Sequence, residues 1–131
     1  MDEETLYSSR ISALVLDIAR TGSREICSVY SKLSDEDFIL YVSEMNTTFI
    51  WKLLEDEGWK MGGSGESNSK FLSFKKKIND RVVNLIITSN KQYFDSFVHA
   101  TIIAKQLDLC NKDDRVELFR IVRDSYERKI T

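Results

Sequence analysis

An uninterrupted apolar run, residues 38–42 (Phe-Ile-Leu-Tyr-Val), is the feature that most constrains the fold of this chain. Strand side chains alternate between the two faces of a sheet, so a strand that is apolar at every position is covered on both faces, as central strands are. Ser43 follows and begins a helical pattern that ends at Gly58. Its predicted inward side chains are Met45, Phe49, Ile50, Leu53 and Leu54. A buried strand followed by such a helix favours an α/β sandwich over a helix bundle.

The rest of the chain adds helices and one hairpin to this unit. Apolar spacing predicts a helix over 3–20, a β-hairpin over 70–88 and a helix over 92–107, and Asn111 starts the last helix. The two C-terminal helices are predicted to bury Phe94, Val98, Ile102, Val116, Phe119, Val122 and Tyr126. We therefore expect an α/β (α+β) fold in which helices flank a small mixed sheet of about three to four strands, as one domain over 1–131.

Composition excludes several classes of protein. Of 131 residues, 42% are hydrophobic and 31% charged, and no apolar run approaches the roughly 18 residues that a membrane span needs. We therefore expect a cytoplasmic protein with no membrane partner. Residues 1–69 hold 6 Lys or Arg against 13 Asp or Glu, whereas residues 70–131 hold 13 against 8. This asymmetry fits either a mixed solvated surface or an acidic site that faces a basic wall.

The cysteines and a glycine-rich stretch each allow few structural interpretations. Cys27 and Cys110 lie far apart in apolar settings, so buried reduced thiols are expected, and with only one histidine in the chain they cannot supply four zinc ligands. Residues 62–69 (GGSGESNS) are too small and polar to pack a core. They fit either a flexible connector or a flap that covers a substrate.

Two aspartates lie directly before the apolar strand. Asp35 and Asp37 are one residue apart, so strand geometry places both side chains on the same side, as a clamp for a divalent metal requires. A glycine and serine, Gly22 and Ser23, precede them by about a dozen residues. The structural alternative is that Gly22 ends a helix, Ser23 caps the next one and Asp35 forms a turn.

These motifs resemble a known superfamily. The run Gly22-Ser23-Arg24-Glu25, followed by residues 34–39 (SDEDFI), is similar to the Gly-Ser turn and Asp-x-Asp strand of polymerase-β-type nucleotidyltransferases. Residues 93–105 and 111–119 closely resemble the C-terminal half of small bacteriophage nucleotidyltransferase-like proteins. The resemblance covers most of the chain and implies a minimal nucleotidyltransferase fold, with the bacterial host cytoplasm as its location.

The resemblance also implies roles for individual residues. Asp35 and Asp37 would hold Mg²⁺ against an NTP, and Gly22 and Ser23 would bind its phosphates. The third carboxylate of the family would lie on the strand that holds Asn84 here, and this amide leaves two-metal catalysis in question. Two further departures are the predicted helix before Gly22, where the family usually has a strand or a buried helix end, and Glu36 between the aspartates, expected to be exposed. The candidates for the phosphate-facing wall are Lys70, Lys75, Lys77 and Arg81.

Three functions remain open on sequence grounds. The first is transfer of a nucleoside monophosphate from an NTP to a hydroxyl acceptor. The second is a catalytically inert phage protein that binds and inhibits a host or bacterial-defence protein, an anti-defence role that Asn84 favours. The third, nucleic-acid binding, is disfavoured because the net charge is −2 and no motif interleaves aromatic and basic residues.

Overall fold

The computed structural model describes residues 12–43, 47–61 and 71–128. Within these ranges the chain forms five strands and four helices. In chain order they are β1 (Val15–Thr21), α1 (Gly22–Ile26), β2 (Glu36–Val42), α2 (Thr47–Asp56), β3 (Lys60–Met61), β4 (Leu72–Ile78), β5 (Arg81–Thr88), α3 (Lys91–Gln106) and α4 (Lys112–Arg128). None of the helices in the described part of the chain is both long and apolar enough to cross a bilayer.

The strands form one mixed sheet in the order β1-β2-β5-β4-β3. The inner strands β2 and β5 run parallel to each other, and the other neighbours are antiparallel. Helices α2 and α3 cover the two faces of β2, which explains its unbroken apolar run. The predicted α+β class and mixed sheet are confirmed, but the predicted count of three to four strands was too low because β1 and β3 were not foreseen.

Strand β1 corrects the predicted helix over 3–20. The helix is wrong from Val15 onward, since six residues of β1 pair with β2; positions 1–11 lie outside the described residues. At the sheet edge, β1 leaves side chains such as Leu16 exposed, so it lacks the strict alternation that marks a half-buried strand. Pairing with β2 overrides the helical spacing of the local sequence.

The sheet divides the core into two layers. Helix α2 packs on one face of the sheet and α3 on the other, and α4 packs against α3. The α2 layer includes Phe38, Leu40, Ile50, Leu54, Trp59, Phe74, Val83 and Leu85. The α3 layer is centred on Ile39, Tyr93 and Phe94. The site described below lies on the α3 face.

The predicted hairpin and the predicted start of the last helix are present, with errors at the helix surfaces. Asn79 and Asp80 both have positive φ, 52° and 63°, as a tight two-residue turn between β4 and β5 needs. The side chain of Asn111 accepts a hydrogen bond from the Asp114 amide at 3.1 Å, which caps α4. The predicted glycine-rich loop 62–69 and Met45 lie outside the described residues. Three side chains predicted to be inward are more than half exposed: Phe49, Ile102 and Val116.

Two loops far apart in sequence are joined covalently. Cys27, after α1, and Cys110, before α4, form a disulfide with Cα atoms 5.6 Å apart, so the expectation of reduced thiols was wrong. The Asp108 carboxylate also accepts hydrogen bonds from the Ser28 amide at 2.8 Å and hydroxyl at 3.0 Å. Sequence spacing gave no sign of this pairing because the cysteines are 83 positions apart.

Candidate functional site

Asp37 lies at the start of β2, with its side chain on the sheet face that α3 covers. Its strand partners are Thr21 on β1 and Asn84 on β5. Alternation along β2 directs Glu36 and Phe38 to the opposite face. Paired positions in neighbouring strands carry their side chains on the same face, so residues from three segments of the chain meet around Asp37.

The structure brings Asp35, Asp37 and Asn84 together. The Nδ2 group of Asn84 donates one hydrogen bond to Asp35 Oδ2 at 3.1 Å and another to Asp37 Oδ1 at 2.8 Å. A single amide group therefore holds both carboxylates in place. These hydrogen bonds also supply two acidic side chains with a donor that offsets part of their mutual repulsion.

Gly22 closes one side of this group. It has φ +76°, and a Cβ atom built on it would lie 1.9 Å from Asp37 Oδ2 and 2.9 Å from Asp37 Cβ. Only glycine allows the backbone to approach the Asp37 side chain this closely while holding a left-handed conformation. Gly22 thus begins α1 directly beside the acidic pair, and Ser23 follows it in the same turn.

Gly22 and Ser23 do not have the helix-end roles that were the structural alternative. Gly22 follows a strand, so it does not end a helix. Ser23 is the second residue of α1, and the helix N-cap is Thr21, which makes no side-chain capping bond. The Thr21 hydroxyl instead forms a buried 2.8 Å hydrogen bond with the hydroxyl of Thr101 on α3. This bond ties the turn to α3.

The environment of Asp37 favours its neutral form. Burial raises the pKa of Asp37 from 3.8 to about 6, although the hydrogen bond from Asn84 lowers it. The nearby charge of Asp35 raises the pKa further, and the positive charges of Arg115 and Lys75 lower it. A carboxyl group with a raised pKa in a polar cluster is a common feature of functional sites. A bound cation would reverse this effect and favour the ionised form.

Glu36 and Arg81 lie on the opposite side of the sheet and do not join the site. Glu36 is buried, which corrects the expectation of exposure, and its Oε1 accepts a 2.7 Å hydrogen bond from Arg81. Arg24 is the second cation, with Nε 4.0 Å from the same oxygen. Arg81 is therefore engaged with Glu36, and the proposed basic wall loses this member.

Lys75 is the member of the predicted basic wall that the structure places at the site. It pairs with Asn84 in the β4–β5 register and so lies on the same face of the sheet. Lys77 lies on the same face but pairs with Val82, which is two residues before Asn84 on β5. Lys70 lies outside the described residues. Arg115 on α4 also acts on Asp37, and the sequence motifs gave no indication of it.

The donor set suits a hard divalent cation only in part. Carboxylate oxygens and, after rotation of the amide group, the Asn84 Oδ1 atom are the ligand type that Mg²⁺ prefers. Within the described residues, no three His, Cys, Asp or Glu side chains form a metal-binding group. Mg²⁺ held by Asp35 and Asp37 would therefore complete its shell with water and phosphate oxygens, as Mg²⁺ commonly does in nucleotide sites.

Comparisons with known proteins identify a fold but no family. No family model matches the sequence, and no curated protein matches it. The crystal structure of the protein GrpB from Enterococcus faecalis is similar, with a TM-score of 0.56 over 92% of this chain and 85% of the other. Sequence identity is 17%, so the likeness concerns the fold alone. The likeness shows that this chain and GrpB share an arrangement of strands and helices.

Proposed function

We propose that this protein binds an NTP together with Mg²⁺ at the Asp35–Asp37 pair. The observation that carries the proposal is the approach of Gly22 to Asp37, where a Cβ atom would lie 1.9 Å from the carboxylate. A turn held this close to the acidic pair is suited to contact phosphates bound through the same cation. Asp35 and Asp37 would orient the cation, and Gly22 and Ser23 would position the phosphate chain.

Transfer of a nucleoside monophosphate to a hydroxyl acceptor is the reaction that such a site would serve. Mg²⁺, when bound, would neutralise charge on the phosphates and polarise them. The chain's own part is to hold the triphosphate in line with the acceptor.

A second candidate is an inert nucleotidyltransferase-fold protein that binds a host or bacterial-defence protein and inhibits it. The hydrogen bonds from Asn84 to both carboxylates favour this candidate. The amide carries no charge where the superfamily has a third carboxylate, and two-metal catalysis normally depends on that charge. Nucleotide binding is compatible with both candidates, whereas turnover is expected only for the first.

Thermal denaturation with each of the four NTPs and Mg²⁺ or Mn²⁺ tests nucleotide binding. The proposal predicts a rise in melting temperature that the double variant Asp35→Ala/Asp37→Ala abolishes. The double variant Asp95→Ala/Asp124→Ala is the control, because it removes two carboxylates from helices α3 and α4 and should keep the rise. No rise with any nucleotide would contradict the proposal.

Turnover and protein capture separate the two candidates. The enzyme predicts release of pyrophosphate from the NTP in the presence of an acceptor, and Asn84→Asp should increase metal affinity and turnover. The inert binder predicts a stoichiometric protein partner from bacterial lysate that the Asp35→Ala/Asp37→Ala variant still retains. Unchanged metal affinity in Asn84→Asp would show that Asn84 does not line the metal site.

A further inference from the structure

Arg115 lies in the first turn of α4, against the residue that follows α1. Its Nη1 group donates a hydrogen bond to the Cys110 carbonyl oxygen at 3.0 Å and approaches Cys27 Sγ at 3.7 Å. The Cys27 amide in turn donates to the Ser23 carbonyl oxygen at 2.9 Å. One short chain of contacts therefore connects the Arg115 side chain to the Gly22–Ser23 turn.

Three contacts hold the segment from the end of α3 to the start of α4 against the segment from α1 to Ser28. The Cys27–Cys110 disulfide is the first, and the hydrogen bonds from Ser28 to Asp108 are the second. The third is the ion pair between Lys105 on α3 and Glu25 on α1, with a 3.0 Å distance. Arg115 is thus fixed relative to α1 before any ligand binds, and less conformational entropy is lost when it contacts one.

The guanidinium group retains donors for a ligand. Both described hydrogen bonds of Arg115 use Nη1, and the group has five N–H donors in a planar fork. Its contact with Cys27 places it beside the Gly22–Ser23 turn, and that turn lies against the acidic pair. A triphosphate would bring several negative charges beside two carboxylates, so the site needs cations that face the phosphates.

We propose that Arg115 binds a phosphate group of the nucleotide. This inference rests on the proposed nucleotide binding and names the residue that supplies an anion contact from α4. Arginine suits this role because its fork matches two phosphate oxygens at once. Arg120, on the same helix, serves a different purpose, since it pairs with Glu117 and Asp124 on the exposed side of α4.

Calorimetric titration with Mg²⁺ and inorganic triphosphate, and then with Mg²⁺ and each NTP, tests the inference. Arg115→Gln should weaken binding by about tenfold or more, the loss expected for one charge-assisted phosphate contact. Arg115→Lys should fall between wild type and Arg115→Gln because it keeps the charge but loses the fork. Arg120→Gln, which removes an arginine from the same helix, should bind like wild type. Thermal denaturation without ligand confirms that each variant is folded.

Two outcomes of these titrations would contradict the inference. If wild type binds triphosphate and Arg115→Gln binds it equally well, the role of Arg115 is overturned while nucleotide binding stands. If wild type binds neither triphosphate nor any NTP, the proposed function fails and this inference fails with it.

Discussion

At the scale of single residues, the Asp37 carboxyl group is the one whose environment most opposes its ordinary ionisation. Burial is the main cause of its pKa of about 6, so the folded protein binds this proton more tightly than the unfolded chain, whose value is 3.8. The free energy of unfolding therefore falls as the pH rises from about 4 to about 6 and does not recover above that range. The acidic pair is stabilised by protonation, or by a cation that replaces the proton.

Substitution of this carboxyl group tests the pH dependence. Asp37→Asn keeps the shape of the side chain and removes the buried charge, so it should raise the free energy of unfolding by about 3 kcal/mol at pH 8. Near pH 3.5 the difference should vanish, because wild-type Asp37 is then protonated as well. Urea denaturation at both pH values measures it. An equal effect at both values, or destabilisation at pH 8, would contradict the assigned environment.

Gly22 offers a second residue-scale prediction, with an internal control. Gly22→Ala should destabilise the fold by about 2–4 kcal/mol, since it adds a clash with Asp37 to the strain of a positive φ. Gly58 also has a positive φ, +93°, but its added Cβ would meet only Lys76, at 3.4 Å. Gly58→Ala therefore measures the backbone strain alone and should cost about 1 kcal/mol. Equal losses in the two variants would show that Gly22 is not packed against Asp37.

Glu36 gives a third prediction, on the face of the sheet away from the site. Its carboxylate pairs with Arg81 at 2.7 Å, and Oε2 is buried with no hydrogen-bond partner among the described residues. Glu36→Gln should lower the free energy of unfolding by about 2 kcal/mol, because two partly buried arginines lose their counterion. Glu117→Gln, which removes a surface partner of Arg120, should leave stability unchanged. A neutral effect of Glu36→Gln would show that its burial already cancels the pairing energy.

At the scale of elements, the attachment of the α1–β2 loop to the α3–α4 loop positions the helical side of the site. The disulfide closes a long loop of chain, since its cysteines are 83 positions apart. Reduction with dithiothreitol, or the variant Cys27→Ser/Cys110→Ser, should lower the free energy of unfolding by about 2–4 kcal/mol. Urea denaturation of oxidised and reduced protein provides the measurement. Equal midpoints would mean that the hydrogen bonds of Asp108 hold the loops by themselves.

The same scale shows which structure could be predicted from the sequence. Strand β2, the β4–β5 hairpin and the two C-terminal helices have strong local signals: an apolar run, a turn with residues that tolerate positive φ, and asparagine caps. Strand β1 was missed because edge pairing, not local periodicity, determines its conformation. Outward-facing Phe49 and Val116 were misjudged because an apolar residue on a helix surface looks the same in sequence as a buried one.

The site could be predicted from the sequence only in part. Asp35, Asp37, Gly22 and Asn84 were singled out from local patterns and from the family resemblance, and the structure places them together. Arg115 was missed, and Arg81 was given a role that Glu36 prevents. Both errors have the same cause. Which charged side chains face a site depends on strand register and on contacts between distant loops, and neither leaves a local signal.

At the scale of the whole molecule, the fold assembles one acidic group from segments spread over most of the described chain. The Gly22 turn follows β1, the aspartates lie at the start of β2, and Asn84 lies on β5. Helix α4 contributes Arg115. Cations from the basic half therefore face carboxylates of the acidic half across this site.

Paramagnetic broadening by Mn²⁺ with ATP tests most directly whether a metal-bound nucleotide lies at the Asp35–Asp37 pair. In backbone amide NMR spectra with substoichiometric Mn²⁺ and excess ATP, the signals of Gly22, Ser23 and Asp37 should broaden first. The signal of Gly58, at the end of the helix on the opposite sheet face, should persist, and Asp35→Ala/Asp37→Ala should abolish the selectivity. Broadening centred on Gly58, or a pattern unchanged in that variant, would contradict the account.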